Sequence, residues 1–202
     1  MSVDAEPLAD RLPSYLTRFV GREQEIAELE AMLEPRGLVT ICGVGGLGKT
    51  RLAIEVARRL SEAEKPPTDE VFWVPLTGTG PAELPTAIGQ GIGLHALSGA
   101  EPLRALVAAL RDAPVLLVID NCEQIAEACR QLVAGLLAGC PRLAVLATSR
   151  IPLEVRSSMC SPSHYESRTA RRPRSKRCDR FQPGADSIQL MISPATHVGH
   201  EV

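Results

Sequence analysis

The chain has 202 residues, of which 45% are hydrophobic but only 3% aromatic, and a formal net charge of −2. That suits one domain with an aliphatic core plus a tail, and it argues against a chain that stays unfolded. The near-balanced charge excludes a general pull toward nucleic acid or an anionic membrane, and no apolar run approaches the ~20 residues that span a bilayer.

Residues 1–18 are polar and proline-broken and read as a flexible leader. With Asp4, Glu6 and Asp10 and no apolar stretch, they show no signal peptide. "FVGREQEIAELEAML" follows, with Ile26, Leu29 and Leu33 on one helical face, and Pro35 and Gly37 end the helix. "LVTIC" (38–42) reads as a buried strand. The glycine-rich "GVGGLGKT" comes next, and then an amphipathic helix marked by Leu52, Val56 and Leu60. "VFWVPL" (71–76) is a second strand. The Gly- and Pro-rich 77–100 holds one helix around 82–91, and Leu103, Leu106, Val107 and Leu110 mark another. "VLLVID" (115–120) is the clearest strand; a helix with Ile125, Cys129, Leu132 and Leu136 follows, and "LAVLATS" (143–149) is a fourth strand. Strands alternating with helices predict an α/β fold, a parallel sheet covered on both faces. The six cysteines form no CxxC pair and no zinc spacing; Cys42 and Cys122 each follow an apolar run and are read as reduced, buried thiols in preference to disulfide partners, from which a cytoplasmic location is expected.

The pattern stops near residue 156. Residues 157–202 carry 7 Lys+Arg against 4 Asp+Glu, eight serines, and no helical or strand period beyond a brief "IQLMI". They read as a low-order, disordered basic tail. "RTARRPRSKR" offers nonspecific phosphate contacts, but it has no interleaved aromatics or folded reader for specific nucleic-acid binding.

"GVGGLGKT" matches GxxxxGK[ST] at Gly43, Gly48, Lys49 and Thr50. Converging backbone N–H groups bind phosphate oxygens only where side chains do not block the approach, and the following helix turns its positive end to the anion. Lys49 then reaches the β/γ-phosphates and Thr50 supplies an oxygen to Mg²⁺. The context, a strand before and an amphipathic helix after, favours this over a ligand-free glycine turn. About seventy residues on, the strand "LLVID" ends in Asp120, at the sheet edge where nucleotide sites lie. Asp120 is expected to hold Mg²⁺ through water; alone it reads equally well as a helix cap. For the attacking water, Asn121 offers orientation and Glu123 a base, or both simply open the next helix. Arg150, with Thr148 and Ser149 beside it, ends the fourth strand; alone it reads as a surface arginine at a strand end, and with the other motifs it is expected to sense a γ-phosphate.

"FVGRE" (19–23), "GVGGLGKTRLA" (43–53), "LLVIDNCEQI" (116–125) and "LAVLATSR" (143–150) resemble, in order and spacing, the signal-transduction ATPases with numerous domains. This STAND class includes NB-ARC and the apoptotic ATPases; the likeness is to the nucleotide-binding domain of bacterial LuxR-type and SARP/AfsR-like transcriptional regulators. The resemblance implies a P-loop NTPase domain over 19–156, incomplete at its C-terminal end, that binds ATP/ADP with Mg²⁺. Val20, Gly21 and Arg22 are implied to touch adenine and ribose, and Gly43, Val44, Gly45, Gly46, Leu47, Gly48, Lys49, Thr50 and Arg51 to bind the nucleotide. Thr50 and Asp120 are the implied metal residues, and Asp120, Glu123 and Arg150 the catalytic candidates. Asn121 stands where many members carry a second acid, which leaves the base unassigned. The class implies slow ATP hydrolysis used as a switch, self-association in a full-length relative, and DNA contact only through a separate output domain.

The abrupt change near residue 156 is read as a truncated or frameshifted regulator, the alternative being a natural basic tail. On that reading the strand at 38–42 loses a neighbour and becomes an exposed apolar edge. Two other functions remain in view: a small-molecule P-loop kinase, for which no acceptor site or Arg-bearing lid is visible, and an inert product. The chain has no NKxD-type guanine signature.

Overall fold

The computed structural model describes residues 12–33, 37–63, 66–94, 101–153 and 188–194. In chain order these form α1 (Glu23–Leu33), β1 (Gly37–Cys42), α2 (Lys49–Glu62), β2 (Glu70–Pro75), α3 (Leu84–Gly91), α4 (Pro102–Leu110), β3 (Val115–Asp120), a 3₁₀ turn (Cys122–Ile125), α5 (Ala126–Gly139), β4 (Leu143–Ser149) and β5 (Gln189–Pro194). The expected elements are all present, with ends shifted by a residue or two.

The strands make one sheet in the order β2-β3-β4-β1-β5. Four run parallel: β1 beside β4, β4 beside β3 and β3 beside β2. Each is too apolar to leave either face in water, and helices cover both. Alternation along β3 divides the core. Val115, Leu117 and Ile119 face α3, α4 and α5, and pack with Ile88, Leu106, Val133 and Leu136. Leu116 and Val118 face α1 and α2, and pack with Ile26, Leu29, Leu52 and Val56.

One expectation is corrected. β1 is not an edge. β5 pairs antiparallel with it over the whole strand, from Gly37 opposite Pro194 to Cys42 opposite Gln189. The "IQLMI" stretch supplies what an unpaired strand edge lacks, a second row of backbone donors and acceptors. Ile188 and Leu190 pack, partly buried, against the α1/α2 side of the core. The basic run 168–177 and Cys160 and Cys178 lie outside the described residues, as do residues 1–11 of the leader. Residues 12–18 of the leader are placed: Leu12 is buried in the α1/α2 cluster.

Cys42 and Cys122 are free and buried, as the sequence suggests, and so are Cys129 and Cys140. Burial pushes the Cys42 thiol up from 9.0 to about 11, against a smaller opposing pull from Lys49. A thiol that resists ionisation in the folded state favours folding below its unfolded pKa, and that preference is lost as pH rises from about 9 to about 11. Urea midpoints measured across this window should therefore fall less steeply in Cys42→Ala than in the wild type. Parallel curves would refute the assignment.

Candidate nucleotide site at the carboxyl edge of the sheet

The parallel strands all point their carboxyl ends to one side, and the expected motifs gather there. After β1, residues 43–48 turn sharply into α2. Gly46 and Gly48 take left-handed φ values of 85° and 73°, which only glycine adopts freely, and a Cβ on either would meet open space. Gly48 sits at the N-cap of α2 without any side-chain cap, so the first-turn N–H groups are open to an anion. Lys49 folds back over the loop; its Nζ donates to the carbonyls of Gly43 at 2.8 Å and Val44 at 2.9 Å.

Asp120 is the hub. It ends β3, is 8% exposed, and its Oδ1 accepts two hydroxyl bonds: from Thr50 Oγ1 at 2.8 Å and from Thr148 Oγ1 at 2.6 Å. Two oxygen-bearing side chains from the loop helix and the neighbouring strand thus converge on one carboxylate, a donor set suited to a hard cation such as Mg²⁺. Asn121 follows in the left-handed region, with φ 67° and ψ 50°, and its N–H donates to Thr148 Oγ1 at 3.0 Å. Asparagine tolerates that conformation better than most residues. The turn carries the chain into the 3₁₀ segment that presents Glu123. Arg150 closes the site from β4. Its Nε pairs with Glu123 Oε1 at 3.0 Å, and its Nη2 lies 3.5 Å from where a Cβ on Gly45 would stand.

Thr148 was named by the sequence only as a polar neighbour of Arg150. It is the strut of the site, holding Asp120 and the Asn121 turn together. The signal was available: Thr148 and Ser149 are polar residues in a strand predicted to be buried, and such groups take specific partners. Replacing Thr148 with valine keeps the shape, leaves the Asn121 N–H unpaired and removes a donor from Asp120. Mg²⁺-dependent nucleotide affinity is expected to fall about 5–10-fold, equivalent to ~1–1.4 kcal/mol, with a similar loss of stability. Titration of the variant with and without magnesium checks this; an unchanged affinity contradicts it.

The leader approaches the same edge. Arg51, in the first turn of α2, donates from Nη2 to the carbonyl of Thr17 at 2.8 Å, and its guanidinium lies 5.0 Å from the Tyr15 ring and 5.9 Å from the Phe19 ring. The Arg51 side chain, grouped by sequence with the nucleotide-binding residues, is thus engaged with the leader. It pins the segment that carries Val20, Gly21 and Arg22. Val20 is 86% exposed. Gly21 and Arg22 both take positive φ, 82° and 62°, the latter an uncommon conformation for arginine. Arg22 Nη1 is buried and finds no acceptor among the described residues.

The family described as AAA ATPase domain matches residues 18–147, well over half of the chain. The chain belongs to that family. The matched span of this AAA ATPase domain runs from just before "FVGRE" through β4 as far as Ala147. An uncharacterized protein of Mycobacterium tuberculosis is 33% identical over 135 residues, 67% of this chain and 34% of the relative. A protein of the same organism named as an HTH-type transcriptional regulator is 39% identical over 128 residues, 62% of this chain and 14% of the relative. The regulatory protein AfsR of Streptomyces coelicolor is 32% identical over 162 residues, 70% of this chain and 15% of its own. The chain thus spans about a third or less of these relatives' lengths. Among solved structures, a signal transduction ATPase with numerous domains that carries a tetratricopeptide repeat sensor, from Pyrococcus horikoshii, aligns with 73% of this chain and 23% of its own, at 19% identity and a TM-score of 0.48.

Among the described residues no helix is long and apolar enough to cross a membrane, and no group of three or more His, Cys, Asp or Glu side chains is placed to hold a metal ion. Any Mg²⁺ site here would draw on Thr50 and Asp120 together with the ligand's own oxygens.

Proposed function

We propose that this AAA ATPase domain binds ATP and ADP with Mg²⁺ and serves as the nucleotide-dependent switch of a cytoplasmic bacterial signal-transduction regulator. The observation that carries the reading is the convergence of Thr50 and Thr148 on Asp120 Oδ1, beside an open glycine loop whose lysine is within reach. Gly43–Thr50 would cradle the phosphates, with Lys49 exchanging its two carbonyl acceptors for phosphate oxygens. Thr50 and Asp120 would hold the metal, which when bound neutralises phosphate charge. Val20, Gly21 and Arg22 would line the base and ribose, a role that gives the unpaired Arg22 Nη1 an acceptor. Arg150 would read the terminal phosphate.

Hydrolysis is expected to be slow. Glu123, the base candidate, is occupied by Arg150, and Asn121 carries no acid. Regulatory relatives support a role in signalling; self-association is expected of a full-length relative, and DNA contact only through a separate output domain. A phosphate-release assay tests the switch reading: turnover should lie far below the ~10 s⁻¹ typical of enzymes. Fast turnover, or phosphoryl transfer to a small acceptor, would favour the kinase alternative.

A further inference from the structure

We infer that Glu123 is a positioning residue for Arg150, and that its charge sets how strongly the site prefers a diphosphate over a triphosphate. The inference rests on the nucleotide reading above and concerns the regulation of that site. The guanidinium of Arg150 spans from Glu123 to the phosphate loop. Its Nε is held by Glu123 Oε1 at 3.0 Å, and Nη2 lies against Gly45. The grip on Nε fixes the plane of the fork and leaves Nη2 turned to the loop.

The pair has little reason to exist for stability. The Arg150 side chain is 64% exposed, and exposed ion pairs add little to folding. The glutamate is the guarded partner: its side chain is only 16% exposed, so water screens it less. It also reaches Arg150 by way of the left-handed turn at Asn121, which Thr148 holds in place. A triphosphate entering the loop therefore meets a cation already partly neutralised, with a carboxylate behind it. The third phosphate carries the charge that this arrangement penalises, and a diphosphate is affected less. Glu123 thus orients the sensing cation and biases the empty site toward ADP.

Glu123→Gln tests the inference, because the amide keeps an acceptor for Arg150 Nε and removes the charge. Binding of a non-hydrolysable ATP analogue and of ADP is measured by calorimetry on the full chain, for wild type and variant. Removing one negative charge near the terminal phosphate is expected to tighten the triphosphate analogue about 3–10-fold, with ADP changed less than about twofold. The gain should shrink at high salt. Glu123→Asp, which keeps the charge, should show no gain. Thermal melts of the unliganded proteins confirm that both variants fold. An unchanged ratio of the two affinities in Glu123→Gln overturns the inference, and reduced hydrolysis at an unchanged ratio would instead mark Glu123 as the base. Failure of the wild type to bind either nucleotide is a different result, which removes the nucleotide reading itself.

Discussion

Lys49→Ala is expected to abolish measurable nucleotide binding at micromolar concentrations while leaving the fold intact. Without ligand the ammonium satisfies the carbonyls of Gly43 and Val44, both at the mouth of the loop. Val44 is half exposed, so water can replace the lysine there. With a nucleotide bound, the same ammonium would make charge-assisted bonds to phosphate, each worth about 1.5–3 kcal/mol. Losing two of them corresponds to about 10²–10⁴-fold in affinity. The variant should melt within about a degree or two of the wild type, since the two carbonyls that the side chain leaves are part-buried and exposed, not in the core. Equilibrium dialysis with labelled ADP reads the affinity. Retention of wild-type affinity would show that the loop does not hold the phosphates.

The second large effect concerns stability and separates three glycines that look alike in sequence. A Cβ on Gly91, at the end of α3, would stand 2.6 Å from Val74 Cγ2 and 3.5 Å from the Trp73 carbonyl. Val74 is 2% exposed in β2 and branched at Cβ, so it cannot rotate away. Gly91→Ala should therefore cost about 1–3 kcal/mol by overpacking. That lowers the melting temperature by roughly 3–10 °C. A Cβ on Gly135 in α5 comes equally close, 2.6 Å, to Leu103 Cδ2. Leu103 is 38% exposed, and the contact is the far end of a flexible side chain. Gly135→Ala should be near neutral, because the gain in helix propensity of about 1 kcal/mol offsets the small rearrangement. Gly139→Ala, facing both methyls of Val107 at 2.6 and 2.9 Å, should fall between them. Thermal melts of the three variants check the order. An equal loss at Gly91 and Gly135 would mean that neighbour stiffness does not decide the cost.

Much of this molecule was legible before its structure. The four parallel strands announce themselves because each is buried on both faces and so must be continuously apolar. Gly43–Thr50 and Asp120 were legible for a chemical reason: each strand end delivers its motif to one edge of the sheet. β5 was not legible. "IQLMI" is a brief run in an otherwise aperiodic stretch, and its partner is about 150 residues away at β1. Nothing local states that it runs antiparallel. The Arg150–Glu123 pair was equally hidden. Both residues had been singled out, but as independent candidates. Only the left-handed turn at Asn121, a conformation that sequence permits without requiring, brings them together. Arg51 carries a contact that its place in the motif does not announce: its length takes the guanidinium to Thr17, Tyr15 and Phe19.

These particulars join in one account. On the proposed reading, the glycine loop, Lys49 and the Asp120 hub would hold the phosphates and the metal. The leader, held by Arg51, would flank it with Arg22, and the Glu123–Arg150 pair would govern the terminal phosphate. Calorimetric titration of the purified, folded chain with ADP and ATP, with and without magnesium, tests its centre most directly. The account predicts one site per chain for either nucleotide, with ATP binding that weakens when magnesium is removed and vanishes in Lys49→Ala. The absence of binding heat for both nucleotides, in a protein whose melting transition shows it to be folded, would contradict it.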